Sequence, residues 1–346
     1  MKKLILPAGT LWALLCSTIV YFGFTTNYTI DTFSPESFQE QYTHHVYRYR
    51  VLSQWMILGV DRALEGHMDE NARDKRRLLL RDPTATNRFY YAYYLLNTFF
   101  LVLTAIVLAL LLSPGGLLRA SSGEKLLMLF FLISLTCLTQ FVVCPYDICG
   151  YFLELATFYL FLRYYERYYR ITMLLVAGLV ILATTNRESS ALTVAFIATL
   201  LFCRFGWTAR AFLGTLLLGA VFLATYLGLR FFVGPDTSPA ADSRPVMDFL
   251  HNNLTLPTDW LGILFWLLML YLAIAISNTR RNRIAICCFH LLCLPYAWQC
   301  LTKGILWELR LYVPILLGSV IMSKIDMSDY CWPALQGGLV ATKADK

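Results

Sequence analysis

The chain has 346 residues, of which 58% are hydrophobic and only 15% are charged. Soluble domains average roughly 45–50% apolar and about 25% charged residues, and the mean hydropathy of this chain is +0.57. Too few polar residues remain to cover the surface that a folded chain shows to water, so the composition excludes a soluble globular enzyme, a disordered chain and a coiled coil. The sequence therefore predicts a polytopic membrane protein.

The net charge of +7 raises the question of a nucleic-acid partner. The basic residues, however, separate apolar runs and form no patch interleaved with aromatic residues, so we expect no nucleic acid and interpret them as topology signals. Six of the ten cysteines lie inside apolar runs, where a thiol behaves as a small hydrophobic group. The cysteines predict no disulfide framework, and no Cys/His spacing indicates a zinc site.

Apolar runs, some of them short, mark the candidate membrane helices when about 20 residues are allowed for each span. There are ten of them: 4–24, 91–113, 126–143, 150–164, 171–185, 190–203, 211–233, 260–276, 284–300 and 311–323. They predict an all-α fold, a polytopic transmembrane helical bundle of about ten spans. The first run is longer than the 7–15 residues of a signal-peptide core, so we expect 1–24 to remain as an anchor. The later runs form a multi-span domain at 91–323, followed by a cytoplasmic tail at 324–346.

A long loop, 25–90, separates the first run from the second. Its apolar stretch 51–60 is too short to span a bilayer and predicts a helix that lies along the membrane interface. The basic stretch 73–77 fits either contact with lipid phosphates or a solvated helix end. We therefore expect an extracytoplasmic loop with amphipathic helices between the anchor and the multi-span domain.

Basic residues set the expected orientation. Of the 29 lysines and arginines, nine lie in loop 25–90, which is long enough to be exempt from the positive-inside rule. With both termini in the cytoplasm, 15 of the other 20 fall on the cytoplasmic side and five on the outer side. Loop 25–90 is thus expected outside, and both N-x-[ST] triplets, at Asn27 and Asn253, fall on that side as well.

Ionisable groups at membrane depth cost roughly 2.5–3.5 kcal/mol each on insertion scales, so their positions are informative. Four charged clusters lie at the predicted outer boundary: Arg48 with Arg50, Asp147 with Glu154, Arg187 with Glu188, and Glu308 with Arg310. Either Arg187–Glu188 and Glu308–Arg310 are structural ion pairs on separate helix ends, or all four clusters line one polar cavity. His290 stands apart, because a lone histidine in a helix is more typical of a satisfied core residue than of a proton relay.

The plan of one anchor, a long outer loop and many short-looped spans resembles the GT-C type of integral membrane glycosyltransferase. Three strings are similar to those of bacterial envelope proteins in that group: Tyr47-Arg48-Tyr49-Arg50-Val51-Leu52, Asn186-Arg187-Glu188-Ser189 and Trp307-Glu308-Leu309-Arg310-Leu311-Tyr312-Val313-Pro314. The resemblance implies a bacterial inner-membrane protein that takes a hexosyl or pentosyl group from a polyprenyl-phosphate carrier on the outer face. The acceptor would be an envelope glycan or a lipid.

The resemblance also implies roles for particular residues. An acidic residue of the first outer loop is central to catalysis in this group, and Asp31 is the first choice for the general base, with Glu36 second. Arginines would hold the departing phosphate, because a guanidinium fork matches its oxygens; the candidates are Arg48, Arg50, Arg187 and Arg310. Acidic residues would hold those arginines or bind sugar hydroxyls; the candidates are Asp147, Glu154, Glu188 and Glu308.

No cofactor follows from the sequence. Many GT-C enzymes carry two acidic residues that are adjacent or separated by one residue, whereas Asp31 and Glu36 are five positions apart. Binding of a divalent metal is possible, but the sequence shows no clear set of ligands for it. No glycine pattern supports a nucleotide sugar or ATP. A polysaccharide polymerase would use the same chemistry. The other classes are a transporter or flippase of a lipid-linked or anionic substrate, and a non-catalytic scaffold.

Overall fold

The computed structural model describes residues 2–23, 35–44, 46–68, 87–113, 117–138, 144–234, 246–304, 306 and 308–328. Within these ranges the chain is helical, and its one extended pairing is an isolated bridge between Leu118 and Ile325. The helices are α1 (Lys2–Gly23), α2 (Pro35–His44), α3 (Val51–Leu64), α4 (Asn87–Leu112), α5 (Ser122–Leu138), α6 (Asp147–Tyr164), α7 (Tyr169–Asn186), α8 (Ala191–Phe205), α9 (Ala209–Val233), α10 (Val246–Thr255), α11 (Pro257–Ala275), α12 (Arg280–Leu292), α13 (Leu294–Lys303) and α14 (Val313–Lys324). Three short 3₁₀ turns lie at Val46–Tyr49, Glu188–Ser190 and Leu309–Leu311.

The helices fall where the apolar runs predict them, but fewer are long and apolar enough to cross a membrane. Among the described residues, six helices qualify, namely α1, α4, α7, α8 with its preceding 3₁₀ turn, α9 and α11. A seventh candidate results if α12 and α13, which meet at a bend of 44°, are counted as one span. Of the others, α5 has 17 residues and α14 has 12, while α6 carries three charged residues. The structure thus confirms an all-helical chain with several membrane-length helices. The described residues contain six or seven helices that could cross a membrane by length and composition, and the predicted ten spans are not confirmed.

The bundle has two ends, because α6 and α14 begin where α7 ends, and α14 ends beside the start of α5. The arginine end is the one that holds Arg50, Arg187 and Arg310. At the opposite end, the Lys324 ammonium donates to Glu124 Oε1 at 3.1 Å and to Asn278 Oδ1 at 3.2 Å. These bonds join the end of α14 to the start of α5 and to the turn before α12.

Helix α6 lies at the centre of the bundle and packs against α4, α7, α8 and α14. Phe158 on α6 stacks on Phe196 of α8, with ring centroids 3.6 Å apart. Phe196 in turn meets Phe289 of α12 edge to face. Gly318 lets α14 close this layer, because a β-carbon at that position would lie 2.8 Å from the Phe289 ring. The aromatic layer holds the helices that carry the charged residues.

The segments that follow α1 pack against the arginine end. Phe38 of α2 is fully buried and stacks on Tyr42. Asp61 of α3 accepts two hydrogen bonds from Arg88 of α4, at 2.8 and 3.2 Å, which ties these helices together. Helix α3 covers the predicted stretch 51–60, whereas 73–77 and the tail 329–346 lie outside the described residues.

The N-x-[ST] triplet at Asn253 lies in α10 and is buried. The Asn253 side-chain nitrogen, to which a glycan would be attached, donates to the carbonyl oxygens of Leu301 at 2.7 Å and Gly304 at 2.9 Å. Both of its hydrogens are therefore used to join α10 to the end of α13. This asparagine has a structural role, and the other triplet, at Asn27, lies outside the described residues.

Candidate functional site

Asp147 is the centre of a buried ion network at the arginine end. It is the first residue of α6, where a carboxylate is favoured by the positive end of the helix dipole. Its side chain is fully buried. Arg187, just after α7, binds one carboxylate oxygen, and Arg310, in the 3₁₀ turn before α14, binds the other at 3.0 Å. One carboxylate thus joins three segments that are far apart in the sequence.

Arg310 is held from several sides. Its Nε and Nη2 both donate to Glu308 Oε2, at 3.0 and 2.9 Å. Its Nη1 also reaches the Tyr146 hydroxyl at 3.3 Å, and its backbone carbonyl accepts from the Tyr151 hydroxyl at 3.0 Å. A guanidinium with this many partners is fixed in position before any ligand arrives.

Arg50 brings the segment after α1 to the same place. It precedes α3 and pairs with Glu188 at 3.1 Å. Its guanidinium lies 3.9 Å from the centre of the Tyr146 ring and 4.9 Å from that of Tyr47, a cation–π arrangement worth about 0.5–2 kcal/mol. Arg187 also faces the Tyr146 ring, at 5.8 Å. Tyr146 therefore contacts an arginine of both ion pairs, Arg50 of the Arg50–Glu188 pair and Arg187 of the Arg187–Asp147 pair.

The neighbours Arg187 and Glu188 do not pair with each other as the ion-pair explanation expected. Arg187 has an extended backbone, with φ of −162° and ψ of 141°, and Glu188 starts a 3₁₀ turn. This change in backbone direction sends Arg187 to Asp147 and Glu188 to Arg50. The adjacent pair is thus divided between two partners, and only the expected pair Glu308–Arg310 forms.

The network is balanced in charge but not in hydrogen bonds. Three arginines face three carboxylates, so the buried charges compensate each other. Arg50 Nε, however, is a buried donor, and Asn186 Oδ1 a buried acceptor, with no hydrogen-bond partner among the described residues. An unsatisfied buried polar group costs about 1–3 kcal/mol, so such atoms are expected where a polar ligand binds.

Glu154 lies deeper than the network, two helical turns along α6 from Asp147, or about 10 Å at 1.5 Å per residue. It is buried, and its Oε1 has no hydrogen-bond partner within the described ranges. Its electrostatic neighbours are Arg187 and Cys293, the residue at which α12 ends and α13 begins. A buried carboxyl group next to a break in a membrane helix marks a polar position inside the bundle.

The structure brings together most of the predicted site residues but not all of them. The network contains Arg50, Asp147, Arg187, Glu188, Glu308 and Arg310. Arg48 points elsewhere and donates to the carbonyl of Val233 at the end of α9. Glu36 is exposed in the first turn of α2, and Asp31 lies outside the described residues. The choice between these two acids for the general base stays a prediction.

Three uncharged residues of the site were not found by sequence reasoning. Tyr146 and Tyr47 supply the rings around Arg50, and Asn186 donates to the Tyr146 carbonyl at 2.8 Å. Each lies directly beside a residue that was selected for its charge. The available signal was that each residue is next to a charge at membrane depth. For the two tyrosines this signal was weak, because tyrosine is common at membrane interfaces.

His290 is a satisfied core residue. Its Nδ1 accepts from the Trp266 indole N–H at 3.1 Å, and because an indole N–H can only donate, that ring nitrogen is unprotonated. Its Nε2 lies 2.8 Å from the Ser319 hydroxyl, whose own proton goes to the Ile315 carbonyl. The imidazole is therefore neutral, with both nitrogens in use.

Among the described residues, no three His, Cys, Asp or Glu side chains come together as a metal site would require. The ion network contributes carboxylates that are already engaged by arginines. Comparison of the chain with known protein families, with curated proteins and with solved structures gave no match.

Proposed function

We propose that the protein is a GT-C-like membrane glycosyltransferase that moves a sugar from a polyprenyl-phosphate donor to a glycan or lipid acceptor on the outer face of a bacterial inner membrane. The observation that carries the proposal is the buried network of three arginines at one end of the bundle, reached by the segment that follows the first helix. In the full proposal the chain crosses the membrane about ten times, α5, α6 and α14 included, with loop 25–90 outside and both termini in the cytoplasm.

The proposed reaction exchanges one bond at the sugar. The acceptor hydroxyl oxygen forms a bond to the anomeric carbon, the bond from that carbon to the lipid phosphate breaks, and the phosphate leaves with the electron pair. Asp31, or Glu36 in its place, takes the hydroxyl proton. Positive charge around the departing phosphate lowers the barrier because negative charge grows on that phosphate in the transition state.

The described residues can supply the remaining contacts. Arg50 Nε, a buried donor without a partner in the described ranges, suits a phosphate oxygen. Glu154 Oε1 and Asn186 Oδ1 are buried acceptors that also have no hydrogen-bond partner in the described ranges, and they suit sugar hydroxyls. Arg187 and Arg310 are held by carboxylates, and we assign them the role of keeping the site correctly shaped.

Sugar transfer by the purified protein tests this proposal. Asp31→Asn is expected to reduce turnover by about 10²–10⁴-fold, the usual contribution of a general base, while membrane insertion is unchanged. Glu36→Gln is the matched variant and should have this effect only if Glu36 is the base. Arg187→Lys and Arg310→Lys keep the positive charge but lose the guanidinium that can bind two oxygens at once, and they should reduce transfer more than stability. Failure to bind any polyprenyl-phosphate sugar would reject the proposal.

One observation favours a second candidate, a transporter or flippase. The helix pair α12 and α13 is bent by 44° near Cys293, and this break lies beside the buried Glu154. Broken helices with a buried polar group are typical of transporter binding sites. If solute uptake into vesicles is lost in Glu154→Gln but unaffected by Asp31→Asn, the transporter replaces the transferase.

A further inference from the structure

A second cluster of arginine and tyrosine side chains lies at the arginine end, on the outside of the bundle. The Arg230 guanidinium, in the last turn of α9, lies 4.6 Å from the centre of the Tyr49 ring and 3.5 Å from that of Tyr226. Arg48 approaches the same Tyr49 ring at 5.6 Å. We call Arg48, Tyr49, Tyr226 and Arg230 the Tyr49 site.

The Tyr49 site is a built structure. The Tyr49 hydroxyl donates to the Gly234 carbonyl at 3.0 Å, and Arg48 donates to the carbonyl of Val233. The 3₁₀ turn Val46–Tyr49 is thereby fastened to the end of α9. The two guanidiniums are held about one tyrosine ring, and both are partly accessible.

The Tyr49 site differs from the buried ion network in its charge. In the network each arginine faces a carboxylate. In the part of the chain that the structure describes, Arg230 forms no ion pair, and its contacts are with aromatic rings. A cation on a ring keeps its N–H groups free to bind an anion, because the ring face engages the plane of the guanidinium and not its edge.

Helix α9 offers an apolar surface next to these cations. Only 11% of its apolar 18-residue stretch is buried within the bundle. Phe231 and Phe232, next to Arg230, are 82% and 87% exposed, and Leu227, one turn before Phe231, is 59% exposed. Apolar surface of this extent on a membrane-length helix faces lipid chains.

We propose that the Tyr49 site binds the phosphate-monoester headgroup of a lipid whose hydrocarbon chain lies along the exposed face of α9. A phosphate monoester carries about −1.5 to −2 charges at neutral pH, so it attracts the Arg230 guanidinium more strongly than the single charge of a phosphodiester does. The site deepens the proposed function, on which it rests for the lipid's identity, since the polyprenyl phosphate left after sugar transfer is itself a lipid phosphate monoester. Binding of the headgroup can be measured without any sugar.

The test is lipid retention by the full chain in detergent, measured by native mass spectrometry against phosphatidic acid, phosphatidylglycerol and phosphatidylcholine. Phosphatidic acid should be retained best by the native protein. Arg230→Gln should weaken its binding by at least about tenfold, the value of one charge-assisted hydrogen bond, and Arg230→Lys should weaken it less. The matched control is Arg210→Gln, because Arg210 also stacks on two aromatic rings, Tyr169 and Phe205, but at the other end of α9.

Three results would overturn the proposal. The first is equal retention of phosphatidic acid and phosphatidylcholine. The second is an equal loss in Arg230→Gln and Arg210→Gln, which would indicate general attraction of interfacial arginines to lipid. The third is binding of inorganic phosphate as tightly as phosphatidic acid, which would remove the role of α9. Should Arg230→Gln fail to fold, Arg230→Lys decides. A protein that binds the lipid but transfers no sugar would retain this site and lose only the proposed function.

Discussion

At the scale of single residues, Asp147 is the side chain on which the ion network depends. It holds Arg187 and Arg310 at once, and all three are buried. Asp147→Asn keeps the shape but leaves two buried guanidiniums facing one fewer negative charge. Loss of one partner of a buried pair costs about 3–5 kcal/mol. We expect a loss of stability of that order, measured by chemical unfolding in detergent.

Glu166→Gln is the control for this loss. Glu166 pairs with Arg204 at 2.7 Å, but its side chain is 56% exposed, and exposed pairs contribute about 0–1 kcal/mol. The two substitutions remove the same charge in different surroundings. Similar small effects from both would mean that Asp147 is solvated, and would argue against a preorganised site.

Sequence reasoning found the charged residues of the network but, apart from Glu308–Arg310, not their pairing. Asp147, Arg187 and Arg310 were predictable because charges at membrane depth are costly and rarely present without a partner. That Arg187 leaves its neighbour Glu188 for Asp147 depends on the extended backbone at Arg187, which no local pattern indicated. Likewise, neither the Tyr146 ring against Arg50 nor the Tyr49 site could be predicted, since both join segments more than 90 residues apart.

At the scale of elements, Gly262 decides how closely α11 approaches the segment before α14. A β-carbon at this position would overlap the Leu306 carbonyl and lie 3.0 Å from the Tyr312 hydroxyl. Backbone cannot move aside as a flexible side chain can. Gly262→Ala should therefore destabilise the protein by about 1–3 kcal/mol, as overpacking does. Thermal unfolding of the purified protein measures this effect.

Gly219→Ala is the matched control, because a β-carbon there meets nothing within 4 Å. It places the same methyl group on α9, and alanine is the better helix former. We expect no loss of stability. If both variants unfold alike, helix propensity and not close approach accounts for the effect at Gly262.

Helix α5 starts with a capping arrangement that gives the opposite end a pH dependence. The Ser121 backbone N–H donates to Glu124 Oε2 at 2.7 Å, and the Ser121 hydroxyl accepts from the Glu124 N–H. Hydrogen bonds from the Ser121 backbone and side chain to the carboxylate, with the ion pair to Lys324, lower the pKa of Glu124 from 4.5 to about 2. A lowered pKa means that the carboxylate contributes stability above pH 4.5 and loses this contribution as the pH falls to about 2.

The expected result is a stability difference between the native protein and Glu124→Gln that is constant above pH 4.5 and vanishes near pH 2. Because the Glu124 side chain is 49% exposed, solvent screens the interaction, and we expect the difference to be no more than about 1 kcal/mol. Unfolding midpoints measured at several pH values give the curve. A difference that grows as the pH falls would contradict the assignment.

The helices themselves were largely predictable, whereas the described helices do not confirm the predicted number of crossings. Apolar runs locate helices well because a helix satisfies its backbone hydrogen bonds within a single segment, as lipid requires. Run 284–300, however, is divided into α12 and α13, since Pro295 lacks an N–H and disturbs the preceding turn. Runs 126–143 and 311–323 contain helices of only 17 and 12 residues; the second helix is shortened because the start of its run forms the 3₁₀ turn that holds Arg310.

At the scale of the whole molecule, orientation decides which compartment the arginine end faces. In the proposed topology, 15 of the 20 basic residues outside loop 25–90 lie on the side opposite to that loop, and the positive-inside rule assigns that side to the cytoplasm. The arginine end, which holds the ion network and the Tyr49 site, is then outside. A donor carried on a lipid phosphate suits this side, where nucleotide-activated sugars are not supplied.

Labelling with a membrane-impermeant maleimide tests this orientation. Glu65→Cys lies in an exposed turn after α3, near the arginine end, and Gly123→Cys lies exposed at the start of α5, at the opposite end. In intact cells we expect Glu65→Cys to react and Gly123→Cys to react only after permeabilisation, with the native protein giving the background of its own cysteines. The reverse pattern would turn the ion network toward the cytoplasm. An outer-face transferase would then be excluded, whereas the lipid site on α9 would remain and would face the other leaflet.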